Sequence, residues 1–226
     1  MSIPDTFLSI KAMKFGFIAL VFMALFFQSC YENMEGCLDV NATNFDVAAD
    51  RECEDCCTYP LLRLAVQHVY TAKVLEKDTL VRFNLDKPYT LDSINFFSLT
   101  DLRYYISEIK LVRENGDLVD IEEEVEVILL QGLDTVPDFT TKDNFVLIDR
   151  SNITPSRIGT FRENGSFKGI EFKFGLSNTD GKILPESFEG NHPLALSDTS
   201  MYNLMEGSYI ITRFDLKSSR IIFYGK

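Results

Sequence analysis

Between Leu61 and the C terminus the chain is a succession of short apolar runs with period-two alternation, each closed by a turn signal, and this punctuation limits the available folds more than any other feature. "LLRLAVQHVY" places Leu62, Leu64, Val66 and His68 on one face and Arg63, Ala65 and Gln67 on the other. That pattern predicts a half-buried strand with a histidine on its apolar side. "TLVRFNL", "VEVILLQG", "DNFVLID", "FKGIEFKFG", "SYIITRFDL" and "RIIFYG" predict further strands. "ENGD" at 114–117, "ENGS" at 163–166 and "NTDG" at 178–181 separate them, Asn-Gly supplying the positive φ of tight hairpins. Seven or more such strands with few helical windows predict an all-β antiparallel β-sandwich, Greek-key-like in its connections.

"DLRYYISEIKLV" fits two periods. Leu102, Tyr105, Ile106 and Ile109 have helical spacing, whereas Leu102, Tyr104 and Ile106 followed by Ile109 and Leu111 describe a strand with one phase slip. A β-bulge near Ser107 accounts for the slip, and the run into "ENGD" favours the strand.

The N terminus reads differently. "FGFIALVFMALFF", from Phe15, would span only ~20 Å as a helix, short of the ~30 Å hydrocarbon core. With Lys14 before it and Ser29 and Cys30 after it, the run has the three regions of a secretory signal. "FQSC" resembles a loose bacterial lipobox, which implies acylation of Cys30 and anchoring without a spanning helix. Residues 1–29 are therefore expected to be a lipoprotein signal peptide, with translation starting at Met1 or Met13, and the mature protein to sit in the cell envelope, at the outer membrane or in the periplasm. The other reading is ordinary signal cleavage with Cys30 joining a disulfide. Loss of Lys11, Lys14 and Asp5 with the leader takes the formal net charge from −12 to −13. So acidic a chain is ill suited to nucleic acid or to anionic lipid.

Residues 30–60 are rich in Asn, Asp, Glu and Cys and read as a tether or small disulfide module ahead of the main domain at 61–226. Cys37, Cys53, Cys56 and Cys57 allow two disulfides in an exported chain, with three pairings; very small loops within "CEDCC" favour Cys37 bonding to one of the cluster. A zinc-thiolate site lacks a second ligand pair at suitable spacing. "GCLDVNATNFDVAADRECEDCC" resembles a short repeat found in many surface proteins of the Bacteroidetes. Asp39, Asn41, Asp46 and Asp50 could offer oxygen ligands to calcium, a solvated acidic loop being the commoner use of such residues.

"LRLAVQHV", "SLTDLRYYISEIKLVRENGD", "FVLID", "GSFKGIEFKFGLSN" and "HPLALSDTSMYNLMEGSYIITRFDL" follow, in order, the landmarks of the MbnP-like copper-binding domain, over about Leu61 to Lys217. The resemblance implies an extracytoplasmic β-sandwich that binds copper, in some members with a methanobactin-type or haem-protein partner. His68 and His192, the chain's two histidines, fall on landmarks similar to the family's histidine positions. Imidazole suits copper, and Met201 and Met205 are soft donors close to His192 in sequence. The chain has no tryptophan: Asn203 and Met205 stand where the family has two. It also ends at "RIIFYGK", earlier than the family pattern: either the product is a shortened one, or Arg220 to Tyr224 closes the sheet and the copper function has been dropped.

No G-x-S-x-G, Walker, Rossmann or zincin motif is present, and the chain is read as a binder rather than an enzyme. In "IEEEVEV" the charges alternate with Ile121, Val125 and Val127, as on a solvated strand face. Glu108, Asp149 and Asp215 become notable only if buried. The expected function is a lipid-anchored extracytoplasmic binding protein taking copper through His68 and His192. The alternative is a non-metal structural or protein-interaction module of the envelope, whose mark would be a contiguous exposed aromatic patch.

Overall fold

A computed structural model describes residues 32–92, 94–196 and 199–220, without the side chains of Thr199, Ser219 and Arg220. The expected signal segment, Cys30 and the closing run after Arg220 lie outside the described residues. The chain divides into two compact units, one made of the chain up to Val40 with Asn44–Cys57, the other of Asn41–Thr43 with the chain from Thr58 onward.

The first unit is held by covalent and backbone bonds more than by a core. Strands β1 (Glu35–Gly36) and β2 (Arg51–Glu52) pair in parallel, and Cys37 bridges to Phe45. Disulfides join Cys37 to Cys57 and Cys53 to Cys56, with Cα separations of 5.0 and 5.7 Å. Cys37 does pair with the cluster, and the small Cys53–Cys56 loop forms as well. Gly36 is required by close approach, since a Cβ there would lie 2.9 Å from that of Ala49.

The second unit is all-β, and every strand pairing in it is antiparallel. Its strands are β3 (Leu61–Leu64), β4 (Val69–Val74), β5 (Lys77–Arg82), β6 (Tyr89–Thr90), β7 (Asn95–Arg113), β8 (Leu118–Asp120), β9 (Glu124–Gln131) and β10 (Asp134–Lys142). After them come β11 (Val146–Asp149), β12 (Ser156–Thr160), β13 (Phe167–Phe174), β14 (Tyr202–Asn203), β15 (Ser208–Tyr209) and β16 (Thr212–Arg220). Strand β7, 19 residues long, is the spine. Tyr104 pairs with Ile148 of β11 and Thr212 of β16, Leu111 with Val119 of β8 and Ile170 of β13, and Phe97 with Tyr89 of β6 and Ser218 of β16. One edge of β7 therefore carries β6, β11 and β8 in turn, and the other carries β16 and β13.

The phase slip in "DLRYYISEIKLV" is a β-bulge. Ser107 pairs with Lys173 and Lys110 with Glu171, so two β7 residues oppose Phe172 alone, and Glu108 sits at φ 52°. The bulge lets Ile106 and Ile109, three apart, point to one side. They join Ile121, Val146, Ile148 and Ile158 in one core, on which Leu62 and Leu64 of β3 pack. Tyr105 points to the other side, into a second core with Val127, Phe145, Leu194, Met201 and Tyr209. The β3–β12 pair thus covers one face of the central sheet and the β9–β10 hairpin the other.

Two expectations are corrected. "LLRLAVQHVY" is two strands in different sheets, β3 pairing with β12 and β4 with β5, so His68 lies in the link between them. "NTDG" is a turn, running into the 3-10 segment Asp180–Lys182, with Asp180 buried and bonded to Ser177. "ENGS" connects β12 to β13, which belong to separate sheets. "ENGD" does form the β7–β8 hairpin, with Gly116 at φ 96°.

Candidate functional site

Adjacent residues of β7 organise the two histidines. Tyr104 and Tyr105 point to opposite faces of the sheet, as alternation along a strand requires. On the first face His68 Nε2 is 2.9 Å from the Tyr104 hydroxyl, and the rings meet edge to face with centroids 5.7 Å apart. The far side of Tyr104 stacks on Phe174 at 5.2 Å. His68 Nδ1 is buried without a hydrogen-bond partner. Burial, and then the positive charge of Arg150, hold the His68 imidazole below the ordinary histidine range and therefore neutral. Arg150 is itself fixed, donating to the Phe83 carbonyl at 2.6 Å.

On the second face Tyr105 and Tyr209 hold the segment that carries His192. Their hydroxyls donate to the carbonyls of Pro193 (3.0 Å) and Leu194 (2.9 Å). His192 lies flat on Phe188, with centroids 3.6 Å apart, and edge-on to Phe145 at 5.6 Å. Its Nδ1 accepts the Leu194 amide at 3.3 Å, so Nε2 carries the proton and faces Asp143 Oδ1 at 3.5 Å.

Each histidine opens onto a cavity. That beside His192 has a volume of about 670 Å³ and runs between the outer edge of β11 and β12, lined by Asp143, Asn191 and Arg157 among others. The cavity beside His68 is much smaller, about 30 Å³. Asp149, Asn152 and Ser156 line both. The larger is of a size that suits small ligands.

The two methionines have different surroundings. Met201 is 1% exposed in the Tyr105 core, and Met205 is 97% exposed. Among the described residues no group of three His, Cys, Asp or Glu side chains is arranged to hold a metal ion, at the histidines or among Asp39, Asp46 and Asp50. Asp46 and Asp50 serve instead as acceptors for the backbone amides of Ala48 and Met34. For copper, His68 fits in the tautomer that donates Nε2–H to Tyr104, which leaves a lone pair on the buried Nδ1, the orientation a hydrogen-bonded imidazole ligand takes. His192 does not fit as held, because a protonated Nε2 offers no lone pair.

Of the carboxylates noted in the sequence, Glu108 pairs with Lys173, Asp149 with Arg103 and Asp215 with Arg213. Among the described residues the buried carboxylate is instead Asp180, whose carboxyl burial pushes up. Sequence reasoning noted Asp149 but missed Asp143 and Arg150 as walls of the histidine cavities. Their signal was a strand core, "FVLI", bracketed by ionisable residues at both ends.

A family model described as MbnP matches residues 60–221. No curated protein and no solved structure matches the chain.

Proposed function

The chain belongs to the MbnP family, and from that premise we propose that it is a lipid-anchored, extracytoplasmic, non-enzymatic binding module of copper handling, with His68 as the principal imidazole donor. The observation that carries this reading is the state of His68: one ring nitrogen is oriented by Tyr104 and the other is buried without a partner. His192 contributes from the neighbouring cavity once its Nδ1 gives up the Leu194 amide, the two cavities already having Asp149, Asn152 and Ser156 in common. Copper bound at imidazole would supply a Lewis-acidic or one-electron centre; the chain's own part is to orient the rings and keep His68 neutral. Acylation at Cys30 would hold the module at the membrane surface.

Copper titration of the purified protein tests the proposal. One equivalent should bind, with affinity reduced roughly tenfold or more in His68→Ala and in His192→Ala. No binding by the parent protein overturns the metal reading. Cys30→Ala should move the protein from the membrane to the soluble fraction, and an unchanged distribution overturns the anchor.

A second reading is supported by a separate observation. Phe172, Phe174, Phe214 and Leu216 are 48%, 58%, 60% and 56% exposed and lie on one side of the central sheet, the kind of apolar surface an envelope interaction module would present. Under this reading the module captures a protein partner, a haem protein being the one the family suggests.

A further inference from the structure

Strand β16 hydrogen-bonds to β7 along its whole length, and among the described residues no strand pairs with its other edge. A long open edge with apolar side chains is a template for another strand, and folded proteins normally cover or blunt it. This one carries Arg213, Asp215 and Lys217 and a register shift between Asp215 and Leu216, yet it keeps an apolar side: Phe214 and Leu216 stand exposed on the face that Tyr104 and Ile106 share, and Phe172 and Phe174 of β13 lie on the same side of β7.

The register states which groups the edge offers. The Tyr105 amide donates to the Ile211 carbonyl, which makes Tyr104–Thr212 a wide pair and Arg103–Arg213 a narrow one. The backbone groups of Arg213, Asp215 and Lys217 thus point toward β7, and those of Thr212, Phe214, Leu216 and Ser218 point outward. Side chains alternate independently: Phe214 and Leu216 lie on the patch face, Asp215 and Lys217 on the reverse.

We propose that β16 pairs antiparallel with β16 of a second copy across a two-fold axis at Leu216, joining two central sheets into one and fusing their exposed Phe214–Leu216 patches. Leu216 is the midpoint of Thr212–Arg220, so this register alone pairs all nine residues. It sets outward-facing amides against outward-facing amides, with Leu216 opposite Leu216 and Phe214 opposite Ser218. The wide pairs, where side chains approach most closely, become Asp215 against Lys217, twice by symmetry. That charge complementarity singles out a second copy as the occupant, since an interface across a two-fold axis must complement itself. Asp215 keeps its Arg213 contact (2.9 Å) on its own strand and gains Lys217 of the second copy on the other side.

Cysteine cross-linking of the full-length protein in non-ionic detergent reads the register directly. A narrow antiparallel pair has Cα atoms ~5.5 Å apart, within disulfide reach. Leu216→Cys should become a disulfide-linked dimer under mild oxidation roughly tenfold faster than Phe214→Cys alone, and a mixture of Phe214→Cys and Ser218→Cys should cross-link to each other. Asp215→Lys should weaken self-association roughly tenfold in sedimentation, and Asp215→Lys with Lys217→Asp should restore it. Phe214, Leu216, Lys217 and Ser218 are exposed and Asp215 half-exposed, so the substitutions stay out of the core. A monomeric mass at the highest soluble concentration overturns the proposal, as does a dimer in which Leu216→Cys links no faster than Phe214→Cys.

Discussion

Tyr105 and Tyr209 meet edge to face in the core, with centroids 6.1 Å apart, and bind consecutive carbonyls, Pro193 and Leu194, at the base of the His192 segment. Two phenols more than 100 residues apart in sequence thereby fix the position of one histidine. Tyr209→Phe removes the donor to a buried carbonyl and should cost about 1–3 kcal/mol in chemical denaturation. Burial first, then Tyr105, Tyr202 and Glu186, hold the Tyr209 hydroxyl far above the ordinary tyrosine range. The folded state keeps this proton when the unfolded chain releases it, so stability should fall as pH rises above about 10, and Tyr209→Phe should flatten that fall.

His68 gives the opposite limb. Its folded-state pKa is lowered by burial and by Arg150, so below about 6.5 the unfolded chain takes up a proton that the folded protein refuses. Stability should be fully present above that pH and decline as pH falls toward the depressed value. Denaturation from pH 7.5 to 5 should show the decline, and His68→Gln should lessen it. An imidazole resonance titrating at or above 6.5 contradicts the neutral state assigned to this ring.

Gly159 has φ 153°, and a Cβ on it would lie 2.5 Å from Ile121 Cγ2 in the core beneath β12. Gly159→Ala should therefore cost about 2–4 kcal/mol, combining backbone strain with overpacking. Gly169→Ala is the control, since nothing lies within 4 Å of its Cβ position. Equal melting temperatures for the two variants would remove the close-approach explanation.

The Cys37–Cys57 bond closes a loop of 20 residues in a unit with little core beyond Cys37 itself. Cys37→Ser with Cys57→Ser should destabilise that unit by about 3 kcal/mol. Limited proteolysis should then cut within Met34–Cys57 while the peptide from Thr58 onward survives. Cleavage throughout the chain would show that the disulfide supports more than its own unit.

The backbone plan was largely legible because it rests on side-chain alternation, which a sequence displays. Ile106 and Ile109 were out of phase for a plain strand, and the Glu108 bulge is what that mismatch meant. Sheet membership was not legible: nothing local tells "LLRLAVQHVY" that Leu62 faces β12 while Tyr70 packs against Phe83 and Tyr89. The site divides in the same way. The two histidines could be named from the sequence, but the hydroxyl of Tyr104 that holds His68 and the rings of Phe145 and Phe188 that hold His192 are contacts that local sequence does not display. Met201 and Met205 look equivalent as thioether donors until burial assigns one to the core and the other to solvent.

The β7 spine also dictates when this protein can fold. Its first half, Asn95 to Tyr104, gains its longest partner only from Thr212–Arg220, more than a hundred residues later. Contacts so distant in sequence make for a slow, high-contact-order search, and a chain emerging N-terminus first holds one edge of that half-strand unpaired until the segment has appeared.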